Sequence, residues 1–161
     1  MTQSVIARRD VGGFSYEIDT AKDRLDIALI HDFLSRCSHW ARGIPREVLE
    51  RAIANSLCFG LYRGGEQIGF ARIVTDEATF AYVSDVFVMA EHRNTGLGQF
   101  LVETILAHKP GLRLWLLVTR DAASLYRRCG FDDLAPDRIY LHRFDPQVYA
   151  GAAVAENAAA D

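Results

Sequence analysis

No run of 18 or more apolar residues occurs in this 161-residue chain, so no segment has the length to cross a bilayer as a helix. Cysteine is scarce. Cys37, Cys58 and Cys129 are odd in number and widely spaced, with no Cys-x-x-Cys pair, which argues against a disulfide scaffold. Buried, reduced thiols are expected instead. No His, Cys or Asp residues fall at metal-ligand spacing, so no metal is expected. Basic excess is also missing. Lys and Arg total 18 against 21 Asp and Glu, for a net charge of −3, and no basic stripe marks a nucleic-acid surface. Met1–Gly13 carries charges where a signal peptide needs an apolar core. These absences describe a cytoplasmic protein with no membrane or nucleic-acid partner. At this length one domain buries about 70% of its unfolded surface, without staples.

What is present concentrates in Val86–Leu101. An apolar strand stops at a polar turn, which leads through Arg93-x-x-Gly96-x-Gly98 into Leu97, Leu101 and Ile105 at helical spacing. A strand feeding a glycine-rich helix start leaves backbone N–H groups unpaired at the positive end of the helix dipole, which suits phosphate. Gly96 and Gly98 allow close backbone approach, and Arg93 adds a charged fork. A nucleotide P-loop is excluded, because Gln99-Phe100 stands where Lys-Ser/Thr is needed. A dinucleotide fingerprint is excluded by Leu101 at the third small position.

The remaining pattern resembles the acyl-CoA pyrophosphate loop of the GNAT superfamily of N-acetyltransferases, Arg/Gln-x-x-Gly-x-Gly/Ala. A second segment, Leu116–Phe131, is similar to that superfamily's Ala-x-x-x-Tyr-x-x-x-Gly-Phe run, here Ala122, Tyr126, Gly130 and Phe131. It reads as a buried strand, a helix N-capped by Asp121 and a left-handed stop at Gly130.

The remaining elements fall into a consistent order. Met1–Gly13 reads as a loose lead and Phe14–Ile18 as a strand. Thr20–Asp23 fits a capping box before a helix stripe of Ile27, Ile30, Leu34 and Cys37. Ser38–Ile44 breaks that helix, and Pro45 opens a second one. Gly64-Gly65 joins Leu57–Arg63 to Gln67–Thr75 as a tight hairpin. Phe80–Met89 is the central strand. The glycine helix, a strand at Leu112–Thr119, the tyrosine helix and a last strand at Arg138–Phe144 follow. The expectation is one α/β (α+β) domain over residues 14–149, with helices on both faces of a mixed sheet in the order β-α-α-β-β-β-α-β-α-β. Residues 150–161 read as a mobile alanine-rich tail.

The resemblance implies an acetyl-CoA-dependent enzyme that acetylates a primary amine on a small molecule. It implies that Val86, Phe87 and Val88 pair their backbone with the pantetheine arm near a bulge. Arg93, Asn94, Thr95, Gly96, Leu97, Gly98 and Gln99 would hold the pyrophosphate. Tyr126 would protonate the coenzyme A sulfur, the alternative being a core tyrosine. Thr119 stands where many relatives carry an asparagine, and Ala90 where many carry proline. Asp85 interrupts an apolar strand, and an unpaired buried carboxylate is costly. It relays the amine's proton or binds its ammonium, or it pairs with Arg72 and holds the sheet. Ser84 stands where some polyamine-acetylating relatives use a glutamate, so that base is missing. His39, Trp40 and Arg72 are candidates for the acceptor side, with Trp40 equally able to cap the core. A protein or peptide amine as acceptor, and a non-catalytic acyl-CoA-binding module, stand as alternatives. A homodimer is left open.

Overall fold

The computed structural model describes residues 4–150. Within them the chain divides into two compact units. One comprises 4–26 with Ile53–Asp132, the other Ile27–Ala52 with 133–150.

The first unit is built on a six-stranded sheet in sequential order, β1 (Val5–Val11), β2 (Phe14–Asp19), β3 (Leu57–Arg63), β4 (Glu66–Thr75), β5 (Phe80–Val88) and β6 (Leu114–Leu116). All neighbours pair antiparallel except β5 and β6. Short turns explain the antiparallel part. Gly64 and Gly65 take φ of 56° and 87°, the left-handed pair that a two-residue hairpin demands. The parallel step is made by α3 (Leu97–His108). Leu97, Phe100, Leu101 and Ile105 of α3 join Ile18, Phe59, Leu61, Ile73 and Val83 of the sheet in one buried core. The six-residue α4 (Ala123–Arg128) follows β6 and ends at Gly130 with φ 90°, as its sequence requires.

Val5–Val11 corrects the expectation of a loose lead. It pairs with β2 from Val5↔Asp19 to Val11↔Phe14 across the Gly12-Gly13 turn. Arg8, Arg9 and Asp10 are exposed, so the polar run that disguised the strand is the solvated side of a sheet edge. Arg138–Phe144, expected as a strand, has no ladder pairing among the described residues. The expected tail, from residue 151 onward, lies outside the described residues.

In the second unit, α1 (Ile27–Asp32) runs into one wider turn at Phe33–Cys37. The following break is held by Ser38, whose buried hydroxyl donates to the Leu34 carbonyl at 2.6 Å and accepts from the Ala41 N–H at 3.1 Å. The helix α2 (Arg46–Ala54) begins after Pro45, whose carbonyl accepts from the Val48 and Leu49 N–H groups. The capping box expected at Thr20–Asp23 is replaced. Asp19, one residue earlier, accepts from the Ala21 N–H at 2.7 Å, and Lys22–Arg24 forms only a single 3-10 turn.

Candidate functional site

The turn after β5 leaves its donors without acceptors. No backbone N–H from Asn94 to Gln99 has an acceptor among the described residues, and the first helical bond is Phe100 N–H to the Gly96 carbonyl at 3.0 Å. Asn94 and Gly96 take φ of 60° and 82°, and left-handed residues in a turn can direct successive N–H groups inward as an anion nest. A Cβ at Gly96 would meet nothing within 4 Å, so its glycine is required by backbone conformation and not by crowding. Gly98 differs, because a Cβ there would come within 3.1 Å of Leu125. Its small size serves the packing of α3 on α4. Arg93 donates from Nε to the Val88 carbonyl at 2.9 Å, which leaves its terminal nitrogens for a ligand. Gln99 donates to Glu103 at 2.7 Å, while the Thr95 hydroxyl donates to the His92 carbonyl at 2.6 Å. Their backbones, not their side chains, face the anion question.

Next to this loop the sheet opens. β5 and β6 pair only through Phe80↔Leu114, Ala81↔Trp115 and Tyr82↔Leu116. β6 then stops, while β5 continues through Val86, Phe87 and Val88 to the loop. On the opposite side of β5, Phe87 pairs with Phe70 and Ser84 with Arg72. Ala71 therefore faces two residues, Asp85 and Val86, and the strand is bulged there. Asp85 carries the bulge with φ 53°, a conformation that aspartate tolerates better than most side chains. The family likeness set a bulge near Val86–Val88, and the structure sets it at Asp85 and Val86, opposite Ala71.

Asp85 is 7% exposed. Its carboxylate accepts from Arg72 Nε at 2.5 Å, and the same guanidinium reaches the Ser56 hydroxyl at 3.1 Å and the Ser84 hydroxyl at 3.3 Å. One arginine thus ties the bulged strand to β4 and to the residue before β3. Charge-assisted bonds of this kind are the strong ones.

Beyond β6 the Thr119 hydroxyl accepts from the Ala122 N–H at 3.0 Å, just before α4. No side chain caps that helix, so the cap expected of Asp121 is not made. The Tyr126 ring packs edge-on against Phe131 with centroids 5.8 Å apart. Burial pushes its phenol up to about 12, so it holds its proton throughout the neutral range. Burial also pushes the Cys58 thiol up to about 11 and raises that of Cys129. Neither is a ready thiolate. Val86–Val88, Arg93–Gln99, Thr119, Tyr126, Asp85 and Arg72 all belong to the first unit. His39 and Trp40 belong to the second, where they stack edge-on at 5.1 Å with Trp40 45% exposed.

A family model for the acetyltransferase (GNAT) domain matches residues 54–133, the stretch that holds the bulge, loop and tyrosine helix. A candidate acetyltransferase of Gibberella zeae is 31% identical over 125 residues, covering 65% of this chain and 68% of the fungal one. The chain belongs to the GNAT acetyltransferase family. A crystal structure of a candidate GNAT-family acetyltransferase from Xanthomonas campestris pv. campestris is 42% identical. It superposes with a TM-score of 0.79 and covers 84% of this chain and 96% of its own. The N-acetylglutamate synthase of Neisseria gonorrhoeae, in complex with coenzyme A and L-arginine, shares the fold at 20% identity and a TM-score of 0.61. That match covers 78% of this chain and 29% of the synthase. GNAT acetyltransferases use acetyl-CoA, and the mixed sheet with its flanking helices is their fold. Among the described residues no group of three or more His, Cys, Asp or Glu side chains could hold a metal. No described helix is long and apolar enough to cross a membrane.

Proposed function

We propose that this GNAT acetyltransferase moves the acetyl group of acetyl-CoA directly to a primary amine on a small molecule, in a ternary complex. The observation that carries the reading is the run of acceptor-free N–H groups at the start of α3, set beside a strand pair that parts after Tyr82↔Leu116. The loop suits a pyrophosphate, and the parted strands suit an extended arm that pairs with the backbone of Val86–Val88.

The chain's own groups then divide the work. Val86, beside the bulge, supplies a backbone N–H for the thioester carbonyl, where developing charge needs stabilising. The amine nitrogen forms the new bond to carbon as the carbon–sulfur bond breaks, and Tyr126 delivers its proton to the departing thiolate. A phenol raised to about 12 by burial is fully protonated at pH 7 and so is always loaded for this step. Of the roles open to Asp85, its bond to Arg72 supports the one that fixes the bulge, and the amine's proton then leaves to solvent. Arg72, spent on Asp85, Ser56 and Ser84, positions that carboxylate. Thr119 still has its hydroxyl proton to donate to the arm. Raised thiol pKa values support direct transfer over an acetyl-cysteine intermediate.

The acceptor class rests on family likeness. Relatives sharing the fold include glucosamine-6-phosphate N-acetyltransferase from Arabidopsis thaliana and the ribosomal-protein-S18-alanine N-acetyltransferase of Escherichia coli, so the fold serves small amines and protein termini alike. An acetyl-CoA consumption screen over amines, amino acids, aminoglycosides and peptides is the test. Turnover with a small amine supports the reading. Turnover with peptides alone moves the acceptor to proteins, and coenzyme A binding without any turnover marks a regulatory module.

A further inference from the structure

Two glycine turns lie at one end of the first unit's sheet. Gly12-Gly13 joins β1 to β2 and Gly64-Gly65 joins β3 to β4, with all four residues left-handed. β2 pairs with β3 only from Tyr16↔Arg63 onward, so Phe14 and Ser15 run past the point where β3 turns away. The overhang leaves a notch of about 550 Å³, in the size range of small-molecule sites. Phe14, Tyr16, Glu17, Arg63 and Glu66 line it together with glycines of both turns.

The charges in the notch are only partly spent. Arg63 and Glu66 are direct cross-strand partners, which sets their Cβ atoms about 4.5–5.5 Å apart. Yet neither forms an ion pair with the other or with any other described residue. Arg63 lies instead over the Phe14 ring at 3.9 Å, a stack that holds the planar guanidinium and leaves its N–H edge for a ligand. Glu17 is already bound by Arg24 at 2.8 Å. One cation and one anion therefore stay uncommitted on the two strands of one hairpin. A purely anionic ligand would meet Glu66 and a purely cationic one Arg63, and such like-charge encounters are costly. A molecule with both signs on one carbon answers both groups.

We propose that this notch binds a free α-amino acid, with its carboxylate on Arg63, its ammonium on Glu66 and an apolar side chain against Phe14, which is 48% exposed. The site is separate from the one proposed for acetyl transfer, since none of Arg93–Gln99 lines it. It adjoins that loop through Tyr16, whose ring meets the His92 ring edge-on at 6.4 Å.

Calorimetry of the full chain without acetyl-CoA is the test, with L-leucine, L-methionine and L-phenylalanine as probes. At least one should bind. Its amide, which lacks the carboxylate, and its N-acetyl form, which lacks the ammonium, should each bind roughly 10–100-fold more weakly, the scale of a lost charge-assisted bond. Arg63→Gln and Glu66→Gln should weaken the free amino acid by a similar factor and leave coenzyme A affinity unchanged. The amino acid should also bind in the presence of saturating coenzyme A. No binding by any probe at millimolar concentration overturns the proposal, and the capped derivatives test it without relying on any variant. Equal affinity for free and capped forms overturns it too, as does affinity that survives both substitutions, since the amino acid then sits elsewhere. Displacement by coenzyme A would give the notch to the cofactor and sink the separate site.

Discussion

Two polar clusters in the same unit treat their hydrogen-bonding groups in opposite ways. Around Asp19, at the end of β2, every strong group is answered. The fully buried carboxylate accepts from the Ala21 N–H at 2.7 Å, from the Ser4 hydroxyl at 2.9 Å and from Arg24. Arg24 also binds Glu17 at 2.8 Å and lies over the Tyr62 ring at 4.2 Å. Among the described residues the exception is the Tyr62 hydroxyl, which is buried with no hydrogen-bond partner. At the start of α3 nothing is answered, and the donors from Asn94 to Gln99 wait in a row. The start of α4 lies between the two, since the Ala122 carbonyl accepts from the Leu125 and Tyr126 N–H groups while no side chain caps the helix. Six successive N–H groups without an acceptor are more than an ordinary helix start leaves. That contrast, more than the presence of glycine, is what the proposed phosphate site rests on.

The largest effect should come from closing the open cluster. Gly96→Val forces a branched side chain onto a backbone at φ 82°, so the loop must leave the left-handed region and its N–H groups no longer converge. Losing two or more charge-assisted bonds should weaken coenzyme A binding more than about 100-fold by calorimetry. The folded core should survive, because no neighbour lies within 4 Å of the new Cβ. Unchanged affinity in the folded variant would remove the phosphate assignment. Gly98→Val is a less clean probe, since it also presses on Leu125.

Turnover gives the next effect. Tyr126→Phe keeps the ring against Phe131 and removes the hydroxyl. With an acceptor in hand, the chemical step should slow on the order of 10²-fold while coenzyme A affinity holds. In the wild type no alkaline limb from this phenol should appear until the pH nears its raised value of about 12. A limb near pH 10 would belong to another group, and an undiminished rate in the Phe variant would return Tyr126 to the core.

Arg93→Ala should cost roughly 1.5–3 kcal/mol of coenzyme A binding, about 10–100-fold. The loss should be equal with dephospho-coenzyme A, because the proposed contact is with the pyrophosphate. A loss seen only with the ribose phosphate present would place Arg93 on the wrong group.

The glycine-rich start of α3 was legible in the sequence through Gly96 and Gly98. The left-handed backbone at Asn94 was not, and Gly98 proved to serve packing against Leu125. The tyrosine helix was legible through its stripe and its glycine stop. The bulge was legible only through the family likeness, because an extra residue in a ladder depends on the neighbouring strand's register, and no residue of β4 announces it. Asp85 betrayed only that something polar was held there. Val5–Val11 escaped because an edge strand facing solvent loses the alternation that marks a half-buried one. Arg138–Phe144 kept its alternation and forms no strand among the described residues.

The closed cluster supplies the counter-prediction, with no effect on the ligand at all. Burial by itself would raise the Asp19 carboxyl, but the Ala21 N–H, Arg24 and Ser4 together outweigh it and hold the group below its ordinary 3.8. A depressed carboxylate stabilises the fold above the unfolded value, near pH 3.8, and that contribution fades as the pH drops through the lower folded value. Asp19→Asn replaces one acceptor by a neutral amide and leaves Arg24 with Glu17 alone. It should lower stability by about 1–3 kcal/mol at pH 7, leave coenzyme A affinity unchanged, and flatten the acid side of the stability curve. Denaturation midpoints measured from pH 7 down to pH 2 give the check. Parallel curves for the two proteins would show that Asp19 is not the group that titrates with unfolding. A fall in coenzyme A affinity would show that the closed and open clusters are coupled.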